Sequence, residues 1–435
     1  MKLTVYRRLL VLVALLSATF SNSQALQAEE KVVNLQEVMA AAKKQNGELK
    51  ALREERGVGE AGRIRAALHA NPVLDLEAET GAFAGSSSEN LISIGVSQEF
   101  LTGGKRGKRL AVADSELLAY ERRLEDTERL LLLEVKLGFY DLLLAQGRAD
   151  LAQKFHELNR RLLLITRERL NAGDIAELDM NLAKVETARS AAAKIEAERD
   201  LLPAGLRLLS LMGAPASLTL KPADAPKPLP VSDDLAELKA LALRKRPDLQ
   251  AMQSEVAKGE AELVLAEAER LPNLTAGVAL IRESTRTSVG GFDEKDTEYL
   301  VGLKLSIPIP LFDRNKAGLM EARSRKSGSQ MRQFHARRQI EREVEVARAQ
   351  WAASDAFLKL YAEEIIPQLT ENLDLIRQAY DYGEIGVQDV IEEQKKFLEV
   401  NQSHLLVLHQ RQTALARLEA ALGIELTEST EAGHE

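Results

Sequence analysis

Cysteine is absent from the 435 residues, so no disulfide braces the chain and packing alone must hold it. The same absence excludes a lipid anchor on an N-terminal cysteine. Past residue 28 no apolar stretch approaches the roughly 20 residues of a spanning helix. Any membrane crossing must then be made by β-strands in a closed barrel. Of the six histidines, no two are three or four apart, and His404 and His409 point to different sides of a helix. Without cysteine, a tight structural metal site is not readable. No nucleophile elbow, zincin pair or dinucleotide fingerprint is present, which excludes the common enzyme classes and implies no cofactor. A surplus of basic residues is missing too. The formal charge is −8, and the segment ahead of Glu29 holds three basic residues and no acid, leaving −11 for the rest. Nucleic acid, which needs basic stripes, is not a partner.

Residues 1–28 read as a secretory signal. Lys2, Arg7 and Arg8 precede an apolar run from Leu9 to Leu16, and small or polar residues follow through Ala25 and Ala28. Cleavage after Ala25 or Ala28 fits equally well.

Beyond the signal the chain is two copies of one unit. Leu35, Glu37, Leu49, Ala51, Glu60, Ala61 and Pro72 recur 200 positions later as Leu235, Glu237, Leu249, Ala251, Glu260, Ala261 and Pro272. Gly173, Asp179 and Gly213 recur 210 positions later as Gly383, Asp389 and Gly423. This sets a first repeat at 29–214, a proline-rich linker at 215–234, a second repeat at 235–426 and a flexible tail at 427–435. The linker's five prolines predict an extended segment.

Each copy has the same order of elements. Residues 34–69 look helical and stop before Asn71-Pro72. Residues 73–80 and 91–100 then alternate apolar and polar side chains around the turn Gly85-Ser86-Ser87-Ser88, the pattern of a β-hairpin. The second copy repeats it at 273–281 and 299–308, around a long polar loop from Arg282 to Thr297. Helix follows at about 104–171 and 314–381, each roughly 100 Å long at 1.5 Å per residue. Ile340, Val344, Ala347, Trp351, Leu358, Tyr361, Ile365, Leu369, Leu373, Ile376 and Tyr380 form a coiled-coil seam in the second. Pro367 should kink it, whereas the first copy has His156 in that place. Shorter helices, 175–212 among them, complete a mixed α/β chain that is mainly α.

Four strands cannot close a membrane barrel, and open edges in lipid are forbidden, so chains must associate: two supply eight strands, three supply twelve. Strand arithmetic does not choose between them. A coiled-coil scaffold alone leaves the alternating strands unexplained.

Three segments carry a resemblance: Gln98-Glu99-Phe100-Leu101-Thr102-Gly103-Gly104-Lys105-Arg106, Pro308-Ile309-Pro310-Leu311-Phe312-Asp313 and Ala379-Tyr380-Asp381-Tyr382-Gly383. With them the mature chain resembles the TolC family of outer-membrane efflux proteins, and Ala70-Asn71-Pro72 with Gly103-Gly104-Lys105-Arg106 resembles its cobalt–zinc–cadmium branch. The resemblance implies a homotrimer with a twelve-strand barrel in the outer membrane and a periplasmic α-barrel of long antiparallel helices. It also implies a periplasmic adaptor and an inner-membrane RND-type pump as partners, and heavy-metal cations as cargo, with drugs or small organic molecules as the alternative.

Three sets of residues follow. Ala172-Gly173-Asp174 and Tyr382-Gly383-Glu384 read as helix-ending glycine caps, and the resemblance makes them the tips that meet the adaptor. Many relatives are apolar where this chain has Asp174. Asp389 and Glu392 match, by resemblance, the acidic rings that narrow the periplasmic mouth; acids complementing a helix dipole are the plainer reading. Lys105, Arg106, Lys108 and Arg109, with Arg314 and Lys316, open long helices where cations oppose the dipole. Outer-membrane lipid phosphates at the inner leaflet would favour them, with the stems snorkelling; a solvated basic face is the other reading.

Overall fold

The computed structural model describes residues 30–84, 89–223, 225, 230–289 and 292–426. The signal, the tail, the Gly85–Ser88 turn, and Pro226 and Pro228 of the linker lie outside the described residues. The first copy comprises strand β1 (Glu30–Val33), helices α1 (Leu35–Gln45) and α2 (Gly47–Ala67), strands β2 (Val73–Thr80) and β3 (Glu89–Phe100), and helices α3 (Lys105–Ala172) and α4 (Glu177–Met212). Strand β4 (Thr219–Pro222) follows. The second copy comprises α5 (Leu235–Lys245), α6 (Pro247–Ala268), β5 (Leu274–Val289), β6 (Phe292–Ser306), α7 (Lys316–Leu360), α8 (Ile366–Asp381) and α9 (Val387–Leu422). Contacts gather these into two compact units: residues 1–50, 127–245 and 340–435, and residues 51–126 and 246–339.

The first unit is helical. Its main core packs Val33, Leu35, Val38, Phe139, Tyr140, Leu142 and Leu208. The helix expected over 34–69 is two helices, because Asn46 leaves helical geometry at ψ 127°. Its Oδ1 accepts the Leu49 N–H at 3.0 Å and its Nδ2 donates to Leu211 O at 3.0 Å. An N-cap is thereby fixed in mid-segment. Pro247 opens the matching α6, where its missing N–H costs nothing. The linker is not merely extended. Its residues 219–222 pair in parallel with β1, from Glu30↔Thr219 to Val33↔Pro222, since Val33 and Leu220 both bury in the core.

Pro367 interrupts the second long helix through a specific device. Residues Tyr361–Ile365 form one π-helical turn ahead of it, between α7 and α8. Proline cannot donate to the carbonyl four residues back, and its ring crowds that carbonyl; the wider turn takes up the mismatch. The first copy has no such proline, and α3 runs 68 residues as one α-helix.

A buried ion pair joins α3 to α9. Lys136 Nζ lies 2.6 Å from Glu419 Oε2, with side chains 5% and 4% exposed. The other carboxylate oxygen accepts the Leu426 N–H at 2.6 Å. Burial, with Glu419 near, pushes the Tyr140 hydroxyl far above its ordinary value.

The second unit carries an antiparallel sheet in the order β2-β3-β5-β6. Its register aligns Leu76, Ile94, Leu280 and Val301 in one row, and Leu74, Val96, Val278 and Leu303 in the next. Directly paired residues share a face, so these rows form one apolar surface. It is exposed: Leu76 69%, Val301 77%, Leu303 84%. The opposite face holds Asp75, Ser93, Gly95 and Ser97, with Ser97 Oγ donating to Asp75 Oδ2 at 2.6 Å. The polar loop expected over Arg282–Thr297 is instead mostly paired strand. Pairing continues through Glu283↔Glu298 and Arg286↔Lys295 to Val289↔Phe292. Apolar alternation stops at Ile281, so the sequence pattern loses its signal while the backbone ladder goes on.

Lys136→Met should destabilise the first unit by about 3–5 kcal/mol, because a buried carboxylate loses its cation. Adding Glu419→Gln should restore much of that, since an amide oxygen still accepts the Leu426 N–H. Denaturant unfolding of the single and double variants measures both.

Candidate functional site: helix tips, gate and basic rim

The two tips are built alike. α3 ends at Gly173 with φ 83°, α8 just before Gly383 with φ 79°. The Gly173 N–H donates to Leu170 O at 3.0 Å and the Asp174 N–H to Arg169 O at 2.9 Å. Gly383 and Glu384 do the same to Tyr380 O and Ala379 O, both at 2.9 Å. Each is a Schellman ending, which needs a left-handed residue and so selects glycine. Ala172, Asp174, Tyr382 and Glu384 are all exposed around these glycines.

One side chain ties the two tips together. Arg169 Nη1 donates to Tyr380 O at 2.9 Å, and its guanidinium lies 4.9 Å from the Tyr380 ring centroid. The buried Tyr380 hydroxyl meets Thr166 Oγ1 at 3.1 Å. Leu162, Ala183, Val387, Val390 and Ile391 pack around it. A cleft of about 150 Å³ beside this cluster is lined by Leu158, Arg161, Arg377, Val390 and Gln394 among others. The buried Gln394 Oε1 has no partner among the described residues. Tyr380 stood on the coiled-coil seam in the sequence; Arg169 and Thr166 carried no signal beyond a cation in a last helical turn.

Asp389 and Glu392 both lie exposed on the first turns of α9. Asp389 Oδ2 accepts the Gly386 N–H at 3.0 Å, so the carboxylate caps the helix as the dipole reading requires. Glu392 is 3.2 Å from Lys396 Nζ, whose pKa its hydrogen bond raises. Asp389 therefore carries the less compensated charge. One turn further on, the buried Glu186 of α4 takes Lys395 Nζ and Arg189 Nη1, each at 2.9 Å.

The basic residues do not form one set. Lys105 is 5% exposed and donates to Leu271 O and Asn273 Oδ1, both at 2.5 Å. Burial lowers its pKa, and its ammonium does not reach lipid. The lipid-facing reading of Lys105 is corrected on that ground: carbonyl and amide oxygens, not headgroups, offset the helix dipole here. Arg106 is exposed and bonds Ala67 O at 2.8 Å and His69 Nε2 at 2.9 Å. Arg109, Arg314 and Lys316 are exposed, and Lys108 is half-buried. Asn315, at φ 53°, stands where the first copy has Gly104 at φ 68°; asparagine is a residue that tolerates this region. No group of three or more His, Asp or Glu side chains close enough to hold a metal occurs among the described residues.

Gly173→Ala should cost about 1–2 kcal/mol of tip stability, the penalty for a left-handed L-residue, as nothing lies within 4 Å of the added methyl. Gly383→Ala should cost more, because the methyl would sit 3.2 Å from Arg169 Nη2. Hydrogen exchange of the Asp174 and Glu384 amides reads the difference.

Comparison with known proteins now bears on these features. The family model described as outer membrane efflux protein matches residues 41–214 and 238–424, one match for each copy. The chain is 23% identical, over 90% of both chains, to the cobalt-zinc-cadmium resistance protein CzcC of Cupriavidus metallidurans. It is 28% identical to the nickel-cobalt-cadmium resistance protein NccC of Alcaligenes xylosoxydans xylosoxydans, over 79% of this chain and 75% of that one. A crystal structure of CusC, described as changing conformation on folding and transmembrane channel formation, superposes with a TM-score of 0.73 at 17% identity. That superposition covers 90% of this chain and 92% of CusC. With two family matches spanning both copies, the chain belongs to the TolC-type outer membrane efflux proteins, seated in the outer membrane and extending into the periplasm.

Proposed function

We propose that three copies of this chain form the outer-membrane duct of a tripartite efflux assembly, which passes heavy-metal cations handed on by a periplasmic adaptor and an inner-membrane RND-type pump. The observation that carries this reading is the four-stranded sheet of the second unit. One face is an exposed apolar surface, and among the described residues β2 and β6 each have a single hydrogen-bonded neighbour. In lipid the apolar face is solvated well, but open edges are not. β6 of one copy pairing with β2 of the next satisfies both edges, and three copies make a twelve-strand barrel. The metal cargo draws support from the names of the two resistance-protein relatives.

The duct works by passive conduction, so its chemistry is that of its narrowest point. Three Asp389 carboxylates at the periplasmic mouth concentrate negative charge where protein walls weaken screening. Cations are drawn in and anions held back. The capping bond to Gly386 leaves Asp389 Oδ1 with no recorded protein partner among the described residues, so a passing cation can meet it. Tips at Gly173 and Gly383 present the exposed Asp174, Tyr382 and Glu384 to the adaptor; a polar docking surface results. Arg106, Arg109, Arg314 and Lys316 face inner-leaflet phosphates.

Asp389→Asn should lower cation selectivity in planar bilayers, and block by multivalent cations from the periplasmic side should weaken with it. Glu392→Gln alone should do less, because Lys396 already compensates that charge. Unchanged reversal potentials in the double variant would retire the gate and leave only a helix cap, worth about 0.3–1 kcal/mol. Gly383→Val should reduce cross-linking to the adaptor while the trimer persists. For cargo, a deletion strain should become sensitive to zinc, cobalt or cadmium; sensitivity to organic drugs alone would reassign the duct.

A further inference from the structure

The long second hairpin sorts its charges by face. On the side that carries Leu280 and Val301, β5 continues as Arg282, Ser284 and Arg286, and β6 as Tyr299, Thr297 and Lys295. The register sets Arg282 against Tyr299 and Arg286 directly against Lys295. The other side takes the acids Glu283, Glu298 and Asp296 from these strands, and Asp75, Glu77, Glu79 and Glu89 from β2 and β3. On the apolar side β2 and β3 contribute Ala78 and Ile92 level with Arg282, then Thr80 and Asn90 level with Ser284, and no acid; the register puts one acid, Asp293, two residues beyond Lys295 toward the strand end.

Arg282, Arg286 and Lys295 are all exposed. No ion pair to any of the three is recorded among the described residues. Two cations facing each other across a ladder are destabilising by themselves. An anion between them reverses that sign. Each second residue adds roughly 6.8 Å along a strand. Arg282 thus stands about 7 Å past the Leu280 row, level with Ala78, Ile92 and Tyr299, and Arg286 with Lys295 about 20 Å past that row, before strand tilt shortens the rise. Long cationic side chains at those heights reach a headgroup layer while their stems stay against lipid.

We propose that Arg282, Arg286 and Lys295 form a lipid-binding rim that holds the phosphates of the outer leaflet's phosphorylated glycolipid. The assignment rests on the outer-membrane duct reading. Both helices that follow the hairpins, α3 after β3 and α7 after β6, leave from the opposite end of the sheet, which that reading places in the periplasm. The hairpin turns then lie outside. Guanidinium forks grip phosphate oxygens in pairs, and three chains repeat the cluster around the barrel. This rim differs from the basic residues at the helix starts in leaflet, in strand register and in ligand. It also gives the polar end of the hairpin a reason to stay paired: a flat ladder keeps the cations at fixed heights, as a loop would not.

The test uses the full-length protein in nanodiscs. Wild type, the triple variant Arg282→Gln/Arg286→Gln/Lys295→Gln, and Lys304→Gln on the opposite face are titrated with bis-phosphorylated lipid A, with its dephosphorylated form and with phosphatidylglycerol. Wild type should bind lipid A on the order of tenfold to a hundredfold tighter than the triple variant, at roughly fivefold per cation near a membrane surface. Dephosphorylation should abolish the difference, and Lys304→Gln should bind as wild type does. Equal binding by wild type and triple variant, or an equal loss in Lys304→Gln, overturns the rim. Phosphatidylglycerol binding as tightly as lipid A, with the same sensitivity to the triple variant, overturns the glycolipid assignment. Heat-modifiable migration on gels separates these from a deeper failure. If wild type shows none, the sheet is not a membrane barrel and the duct reading falls; if it does, the duct stands whatever the rim does.

Discussion

Backbone N–H and C=O groups cannot be left unpaired in hydrocarbon, and the rest of this chain follows from that constraint. In the proposed duct, a sheet of four strands with an apolar face enters the membrane as part of a ring. Internal duplication supplies two hairpins per chain, one from each copy, and they meet at β3 and β5 with twelve paired positions from Glu89↔Thr285 to Phe100↔Leu274. On the proposed reading, closing the ring falls to association between chains. The helices inherit the same duplication, which is why Gly173 and Gly383 end helices with matching φ and matching hydrogen bonds.

What the sequence revealed tracks where one physical signal dominated. Strand β2 was legible to the residue, because apolar and acidic side chains alternate without a break from Leu74 to Glu79. The far ends of β5 and β6 were not, because past Ile281 both faces are polar and period-two hydrophobicity vanishes while the ladder persists. Glycine ends of helices were legible, since few other residues take a positive φ. The break at Asn46 was hidden, since asparagine inside a helical pattern is unremarkable until its side chain finds Leu211 O, 165 residues away. Lys105 failed for a related reason. Its type and its place beside other cations suggested lipid, and only the approach of Leu271 and Asn273 shows where its protons go.

The candidate gate shows how two readings of one residue can both hold. A carboxylate at the third position of a helix is drawn there by the helix dipole and the Gly386 N–H whatever else it does. That bond engages one oxygen and orients the carboxylate, so the proposed ring would be partly ordered before any ion arrives. Glu392 lacks this fixing and is paired with Lys396, which makes it a poor second ring. The same spacing in sequence thus produces unequal sites, and only the neighbours on the helix distinguish them.

Within the first unit, α3 is held in register at two places by different means. Near its end Arg169 grips Tyr380 O through a part-buried hydrogen bond from a charged donor, worth about 1.5–3 kcal/mol. Near its middle Lys136 and Glu419 form a buried pair, which costs several kcal/mol if one partner is withdrawn. Thirty-three residues, about 50 Å of helix, separate the two. Between them the second copy's helix carries a π turn rather than continuous α-helix, at Tyr361–Ile365, with Tyr361 stacked on His404. A single π turn inside a long helix is a local departure from the usual i→i−4 ladder. The pair in the middle is the costlier to break, the contact at the tip the less costly, and the π turn lies between them. The buried pair lies against the same core that holds Phe139 and Leu208 in the first unit.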